Sequence, residues 1–121
     1  MRLIIAGSRS AGKWDVIAAV VDCTIEGGFS PHEANEVVCG GARGADEWGA
    51  KWAKCNGKDV KMFLPYWGKH GKRAGHLRNV QMGNYATHLL AVWDGKSKGT
   101  KHMIDYARKK GLEVHVYQYN S

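Results

Sequence analysis

Short apolar runs alternate along the chain with segments of helical spacing, and this alternation constrains the fold more than any other feature of the sequence. The apolar runs predict five strands, over residues 2–6, 36–39, 60–64, 87–93 and 113–117. Helical patterns occupy the intervals between them. A chain that repeats strand and helix in this way forms a parallel sheet with helices on both faces. The sequence therefore predicts the α/β class and a five-stranded, mostly parallel sheet.

Apolar stripes at helical spacing predict which helix faces pack against this sheet. The predicted inner stripe of the first helix is Trp14, Ile17, Ala18, Val21 and Ile25, and that of the second helix is Ala45, Trp48, Gly49, Trp52 and Ala53. A short helix from about Ala74 is expected to turn Leu77 and Val80 inward. The last helix is expected over about 100–110.

Length and composition indicate one globular unit. The 121 residues suffice for a single domain with its own core, so we treat residues 1–121 as one domain. No apolar run approaches the roughly 20 residues that span a bilayer, and the N-terminus lacks the pattern of a secretion signal. We therefore expect a cytoplasmic protein with no membrane partner.

The cysteines and histidines do not predict a metal centre. Cys23, Cys39 and Cys55 show no C-x-x-C spacing, and the six histidines show no ligand spacing. We expect no metal site, and we expect the three thiols to be buried.

Glycine, serine and basic residues concentrate where the predicted strands end. The four stretches are Gly7 to Ser10, Gly40 to Asp46, Pro65 to Gly75 and Asp94 to Thr100. Because the carboxyl ends of parallel strands share one edge of the sheet, these stretches are expected to converge there on a ligand. The formal net charge of +7 favours an anionic ligand.

The stretch from Gly40 to Asp46 is the strongest of these signals. A glycine-rich turn lies between an apolar run and a helical pattern, so backbone N–H groups at a helix N-terminus can approach a phosphate closely. Arg43 adds a full positive charge. Asp46 has three possible roles: stabilising the positive end of the helix, accepting a hydrogen bond from a ribose hydroxyl, or orienting Arg43.

The other stretches supply further candidates. Arg78 and Asn79 are expected in the first turn of a helix, where they can reach a phosphate and a base. Lys96 and Lys98 make the stretch before the last helix a second anion signal, and Thr100 is expected to cap that helix. Trp67 and Trp93 lie at loop mouths, where an aromatic face can stack on a base.

Together these stretches define the predicted ligand-binding residues. They are Gly7, Ser8, Arg9, Gly40, Gly41, Ala42, Arg43, Gly44, Asp46, Trp67, Arg78, Asn79, Asp94, Gly95, Lys96, Ser97, Lys98, Gly99 and Thr100. Arg9, Arg43, Arg78 and Lys98 are expected to form one cationic cup that neutralises phosphate.

The sequence completes neither of two common nucleotide-binding motifs. The run from Gly7 to Trp14 follows the P-loop pattern until its last position, where tryptophan replaces the hydroxyl residue that ligates magnesium. The run from Gly40 to Gly44 is not the dinucleotide fingerprint, and no acidic residue closes the next strand. These departures disfavour a nucleoside triphosphatase and an NAD dehydrogenase.

Taken in order, the motifs resemble a known family. Gly7-Ser8-Arg9, the run from Gly40 to Asp46, Trp67 with Gly71, Ala74-Gly75, Arg78-Asn79 with Met82, and the run from Asp94 to Thr100 are similar to the YspA/YpsA-related branch of the SLOG superfamily. The resemblance implies a Rossmann-like three-layer domain that binds a nucleotide-derived ligand, such as ADP-ribose or an NAD-derived signal. It also implies a homo-oligomer, with a phosphorylated nucleoside as its partner and no separate cofactor.

One motif departs from the superfamily's LONELY GUY enzymes, in which the glutamate of P-G-G-x-G-T-x-x-E serves cleavage of an N-glycosidic bond. Aligning Gly99-Thr100 with that motif puts Met103 at the glutamate, and methionine cannot act as a general acid or base. The chain is therefore expected to bind its ligand, for sensing or sequestration, without turning it over.

Two alternatives stay open. In the first, the chain hydrolyses a nucleotide N-glycosidic bond, with Asp46 or Asp94 as the catalytic carboxylate. In the second, it binds single-stranded nucleic acid through its basic loops, by analogy with the DNA-processing protein DprA. Short glycine-bounded turns, in place of a long basic strip, favour this second alternative less.

Overall fold

The structure is a computed structural model that describes residues 1–120, and it contains one five-stranded sheet within them. The strands are β1 (Arg2–Gly7), β2 (Glu36–Cys39), β3 (Asp59–Met62), β4 (His88–Trp93) and β5 (Glu113–Gln118). Their spatial order is β3-β2-β1-β4-β5, and all four pairings are parallel. The predicted α/β class and parallel sheet are confirmed, and β3 lies at an edge.

Five helices connect the strands. They are α1 (Lys13–Glu26), α2 (Ala45–Cys55), the single turn α3 (Trp67–His70), α4 (Ala74–Tyr85) and α5 (Lys98–Lys109). Short 3-10 turns cover Pro31–Glu33 and Gly71–Arg73. Within residues 1–120, no helix combines the length and apolar character needed to cross a membrane.

The helices form one layer on each face of the sheet because the central strands are apolar on both sides. Leu3 and Ile5 of β1 belong to a core with α1 and α2, while Ile4 and Ala6 belong to a second core with α4 and α5. Successive strand residues point to opposite faces, so one short apolar run supplies both cores. This is the Rossmann-like three-layer arrangement that the resemblance implied.

The predicted inner face of α1 is wrong. Trp14 and Ile25 are 73% and 72% exposed, and the buried residues are Val16, Ala19, Val20 and Cys23. The helix carries two apolar stripes, and the stripe that contains the smaller residues packs on the sheet. Trp14, the residue at which the P-loop pattern fails, therefore lies on the surface.

Two smaller packing predictions, those for Leu77 and Cys55, are also wrong. Leu77 is exposed on α4, where Met82 and Gly83 pack inward instead. The predicted inner stripe of α2 is confirmed, with Trp48 and Trp52 partly buried and packed against the core. Cys55 is exposed at the end of α2, whereas Cys23 and Cys39 are buried as expected.

Candidate functional site

The four polar stretches that follow the strands meet in one cleft at the carboxyl edge of the sheet. The cleft has two adjoining compartments, an inner one of about 440 Å³ and an outer one of about 670 Å³. The inner compartment lies where β1 and β4 end, which is the point where the strand order reverses. Both compartments share the wall formed by Arg9, Ala42, Arg78, Asn79 and Gly99.

Close contact between the ends of β1 and β4 forms the floor of the inner compartment. A Cβ on Gly7 would lie 1.9 Å from the carbonyl oxygen of Val92, so this position requires glycine. The Ser8 N–H donates to the same oxygen at 2.9 Å. The buried Ser8 Oγ accepts from the N–H of Asp94 at 3.0 Å. These two hydrogen bonds of Ser8 hold the loop after β4 against the end of β1. Ser8 itself does not line the cleft.

Asp46 is the buried carboxylate of the inner compartment. It stands in the first turn of α2, and its Oδ2 accepts a hydrogen bond from the Gly40 N–H at 2.9 Å. Burial raises the pKa of Asp46, while the Arg78 charge and backbone N–H groups, Gly40 first, partly offset that effect. The cation that faces Asp46 is therefore Arg78 and not Arg43, which lines the outer compartment.

Arg78 is held in place by the residues around it. Its Nη1 donates to the Gly40 carbonyl oxygen, and its Nε donates to Asn79 Oδ1 at 3.2 Å. Burial lowers the pKa of Arg78; the nearby Arg9 charge lowers it further, and Asp46 opposes both. Both Arg9 and Arg78 line the two compartments, so the shared wall carries two guanidinium groups.

The Asn79 side chain links α4 to the start of α5. Its Nδ2 donates to the Gly99 carbonyl oxygen at 3.2 Å and lies 3.1 Å from His102 Nδ1, while its Oδ1 accepts from Arg78. The amide thus has partners within the protein at both of its ends. The predicted contact of Asn79 with a sugar or base stays a prediction. In the structure, the Asn79 side chain joins α4 to α5.

Asp94 closes the loop after β4. Its Oδ1 accepts from the N–H groups of Lys96 and Ser97, each at 2.8 Å. These bonds, Ser97 first, lower the pKa of Asp94. The carboxylate lines the inner compartment beside Ser97 and Thr100.

The start of α5 differs from the sequence prediction. The helix begins at Lys98, and its N-cap is Ser97, whose Oγ accepts from the Thr100 N–H at 3.5 Å. Thr100 is therefore not the cap residue. Gly99 and Thr100 of the first turn line the inner compartment, as an anion site at a helix N-terminus requires.

The predicted ligand-binding residues divide into three groups by position. The inner compartment is lined by Gly7, Arg9, Ala42, Asp46, Arg78, Asn79, Asp94, Ser97, Gly99 and Thr100. Gly41, Arg43 and Trp67 line the outer compartment, with Trp67 53% exposed. Ser8, Gly40, Gly44, Gly95, Lys96 and Lys98 belong to the same loops but are absent from both linings. The expected cup thus brings together Arg9, Arg43 and Arg78 without Lys98.

Several cleft residues were missed by the sequence analysis. Ser10 lines the inner compartment, and its Oγ lies 2.7 Å from the Tyr119 hydroxyl. His76 lines the outer compartment and stacks on His102 with ring centroids 4.0 Å apart. Burial lowers the pKa of His102, His76 lowers it further and Asp105 opposes both. His76 and His102 come from different helices, so local spacing gave no signal of the pair.

Comparisons with known proteins support the sequence resemblance. Residues 1–70 match the model of the family described as YspA, cpYpsA-related SLOG. This match covers more than half of the chain and includes the turn after β1 and the stretch from Gly40 to Asp46. The chain is also similar to the Gene 61 protein of Mycobacterium phage D29, with 36% identity over 123 residues and coverage of 93% of both chains.

Proposed function

Because the chain belongs to the YspA, cpYpsA-related SLOG family, we propose that it binds a nucleotide-derived ligand, such as ADP-ribose or another NAD-derived signal, in the two-compartment cleft. Membership of this family suggests nucleotide-related binding or a glycosidase-like function. Binding is the better supported of the two, because Met103 lines the inner compartment at the position of the LONELY GUY glutamate.

The observation that carries this proposal is the pair of guanidinium groups on the shared wall. Arg9 and Arg78 both line the inner and the outer compartment, and Asp46 already accepts a hydrogen bond from the Gly40 N–H. A diphosphate carries two negative charges on adjacent groups, so it can contact both guanidinium groups at once. The shared wall therefore suits the phosphates of a nucleoside diphosphate derivative.

The two compartments suit the two ends of such a ligand. Their volumes, about 440 and 670 Å³, fall in the range of small-molecule sites. The half-exposed ring of Trp67 offers a stacking surface for a base in the outer compartment. The carboxylates of Asp46 and Asp94 offer acceptors for sugar hydroxyls in the inner compartment.

Calorimetric titration with ADP-ribose, NAD and AMP tests the proposal through Arg9. Arg9 lines both compartments, and no hydrogen bond of its side chain is found within residues 1–120, so its removal leaves the fold intact. Arg9→Ala is expected to weaken binding of ADP-ribose by about tenfold to a hundredfold, the usual value of a charge-assisted hydrogen bond.

The matched control is Arg108→Ala, which removes the same charge from the last turn of α5. It is expected to leave the affinity unchanged. Wild-type protein that binds none of the three compounds at millimolar concentration contradicts the proposal. Equal losses in both variants would mean that net charge, and not the cleft, determines affinity.

A second candidate, hydrolysis of a nucleotide N-glycosidic bond, is favoured by the contrast between the two cleft carboxyls. Burial raises the pKa of Asp46, whereas hydrogen bonds lower that of Asp94. Two carboxyls whose pKa values are moved apart at one site provide an acid and a base. Asp46 would protonate the leaving base as the glycosidic C–N bond breaks, and Asp94 would take a proton from the water molecule that bonds to the sugar carbon.

Chromatography of AMP and related nucleoside monophosphates after long incubation tests this second candidate. It predicts free base, and it predicts that Asp46→Asn lowers the rate by at least about a hundredfold. If the substrates stay intact while ADP-ribose binds in the titration, hydrolysis is excluded for these substrates and the binding proposal stands.

A further inference from the structure

The orientation of the Asn79 side-chain amide is fixed by two neighbours that can each play only one role. The Arg78 Nε–H can only donate, and it lies 3.2 Å from Asn79 Oδ1. The carbonyl oxygen of Gly99 can only accept, and it lies 3.2 Å from Asn79 Nδ2. Turning the amide over would place donor against donor at Arg78 and acceptor against acceptor at Gly99. Asn79 is 5% exposed, so its amide depends on these protein partners.

This orientation determines the protonation state of His102. The Nδ1 atom of His102 lies 3.1 Å from Asn79 Nδ2, which can only donate, so Nδ1 accepts and carries no proton. His102 is then neutral, with its one ring proton on Nε2. A second proton, on Nδ1, would bring two donors together at a buried amide. Protonation of His102 therefore opposes the arrangement in which Asn79 accepts from Arg78.

The ring of His102 is held in this position by the ring of His76. The two rings stack with centroids 4.0 Å apart and an angle of 11° between their planes. His76 comes from α4, whereas Asp105 and Tyr106, which also face His102, lie on α5 itself. Asp105 favours a charge on His102, but it also pairs with Lys101 at 2.9 Å. Burial and His76 oppose that charge, so the pKa of His102 lies below its ordinary value of 6.5.

We propose that His102 is a positioning residue of the cleft and that it makes ligand binding sensitive to pH. Neutral His102 accepts from Asn79, and Asn79 accepts from Arg78, which holds the Arg78 guanidinium on the wall shared by the two compartments. Protonated His102 breaks this chain of hydrogen bonds, so Arg78 is no longer held where it meets a phosphate. Affinity is full while His102 is neutral and falls as the pH falls through the pKa of His102.

The effect on affinity rests on the proposed function, whereas the link from His102 to Arg78 does not. NMR spectroscopy of the free protein tests that link without a ligand. Proton–nitrogen correlation spectra of the imidazole rings are expected to show the proton of neutral His102 on Nε2. As the pH is lowered from about 8 to about 5, the Nε–H signal of Arg78 is expected to shift with the same midpoint as the His102 ring.

The conservative variant for this measurement is His102→Asn. The side-chain oxygen of asparagine can take the place of Nδ1 and accept from Asn79, and it does not titrate. The Arg78 signal is therefore expected to lose the transition that it shows in the wild type. His76 is kept in this variant, so any effect of its own titration on Arg78 is measured separately.

Calorimetric titration with ADP-ribose at about pH 7.5 and about pH 5 tests the effect on binding. The two phosphates of ADP-ribose keep one charge each over this range, whereas the monoester phosphate of AMP titrates near pH 6. The wild type is expected to bind about tenfold more weakly at the lower pH, because a buried donor then has no acceptor. His102→Asn is expected to lose no affinity on acidification.

The matched control is His32→Asn. His32 is exposed on the 3-10 turn that leads into the amino end of β2, at the opposite edge of the sheet from the cleft. This variant is expected to keep the pH dependence of the wild type. Circular dichroism at both pH values verifies that each variant is folded.

Three results overturn the proposal. They are a neutral His102 that carries its proton on Nδ1, an Arg78 signal that does not follow the His102 titration, and equal losses of affinity in the wild type and His102→Asn. If ADP-ribose binds at neither pH while the Arg78 signal follows His102, the proposed ligand is wrong and the positioning role of His102 stands.

Discussion

Asp46 and Asp94 lie on the same cleft, yet their surroundings move their pKa values in opposite directions. Burial is the largest influence on Asp46, and it favours the neutral acid. Asp94 is partly exposed to water and accepts two backbone hydrogen bonds, which favour the carboxylate. The two residues therefore affect stability in different pH ranges.

The raised pKa of Asp46 predicts a loss of stability as the pH rises. The folded protein holds the Asp46 proton more tightly than the unfolded chain does, so ionising this group favours unfolding. The free energy of unfolding of the wild type, measured by urea denaturation, should decrease relative to that of Asp46→Asn as the pH rises from about 4 through the raised pKa. Parallel pH curves for the two proteins would contradict this expectation.

Asp94→Asn is the matched control for that measurement. The lowered pKa of Asp94 stabilises the fold above the ordinary value of 3.8, and this contribution is lost as the pH falls through the lowered pKa. The difference between wild type and Asp94→Asn should therefore change only below about pH 4.

The partners of Asp46 could not be predicted from the sequence. Of its three proposed roles, the orientation of Arg43 finds no support in the structure, where Arg78 is the cation beside the carboxylate. Arg78 belongs to α4 and Gly40 follows β2, and only the folded sheet brings both of them to α2. The order of residues along the chain contains no direct signal of that meeting.

At the level of elements, the tightest constraint is the approach of β1 to β4. A Cβ at Gly7 would contact the Val92 carbonyl oxygen, a backbone atom in the neighbouring strand that cannot move aside. Gly7→Ala is expected to lower the free energy of unfolding by about 3 kcal/mol, at the upper end of the overpacking range. Urea denaturation measures this loss.

Gly28→Ala is the control, because no atom lies within 4 Å of a Cβ built at Gly28. It is expected to change the free energy of unfolding by less than about 0.5 kcal/mol. Equal effects of the two substitutions would mean that the loss reflects backbone entropy and not the contact between β1 and β4.

The strands were predictable because a central parallel strand must be apolar on both faces, and β1 and β4 read as unbroken apolar runs. The inner face of α1 could not be predicted, because periodicity locates an apolar stripe without indicating which of two stripes packs on the sheet. The start of α5 was missed by two residues because Ser97 and Thr100 are both residues that cap helices well.

At the level of the whole molecule, the parallel direction of all five strands explains why the polar loops meet. That convergence follows from a general property of such sheets, so it could be predicted before any coordinates. The positions of individual side chains within the loops could not be predicted in this way. Lys98 lines neither compartment, and His76 and His102 meet only because α4 packs against α5.

The separation between the two buried cores and the rim of the cleft has an evolutionary consequence. Arg9, Arg43 and Trp67 belong to neither core, and no hydrogen bond of their side chains is found within residues 1–120. In the proposed site, replacing them is expected to alter ligand selectivity at little cost to folding. Descendants of this protein can therefore acquire a new specificity through single substitutions, while the scaffold beneath them is inherited unchanged.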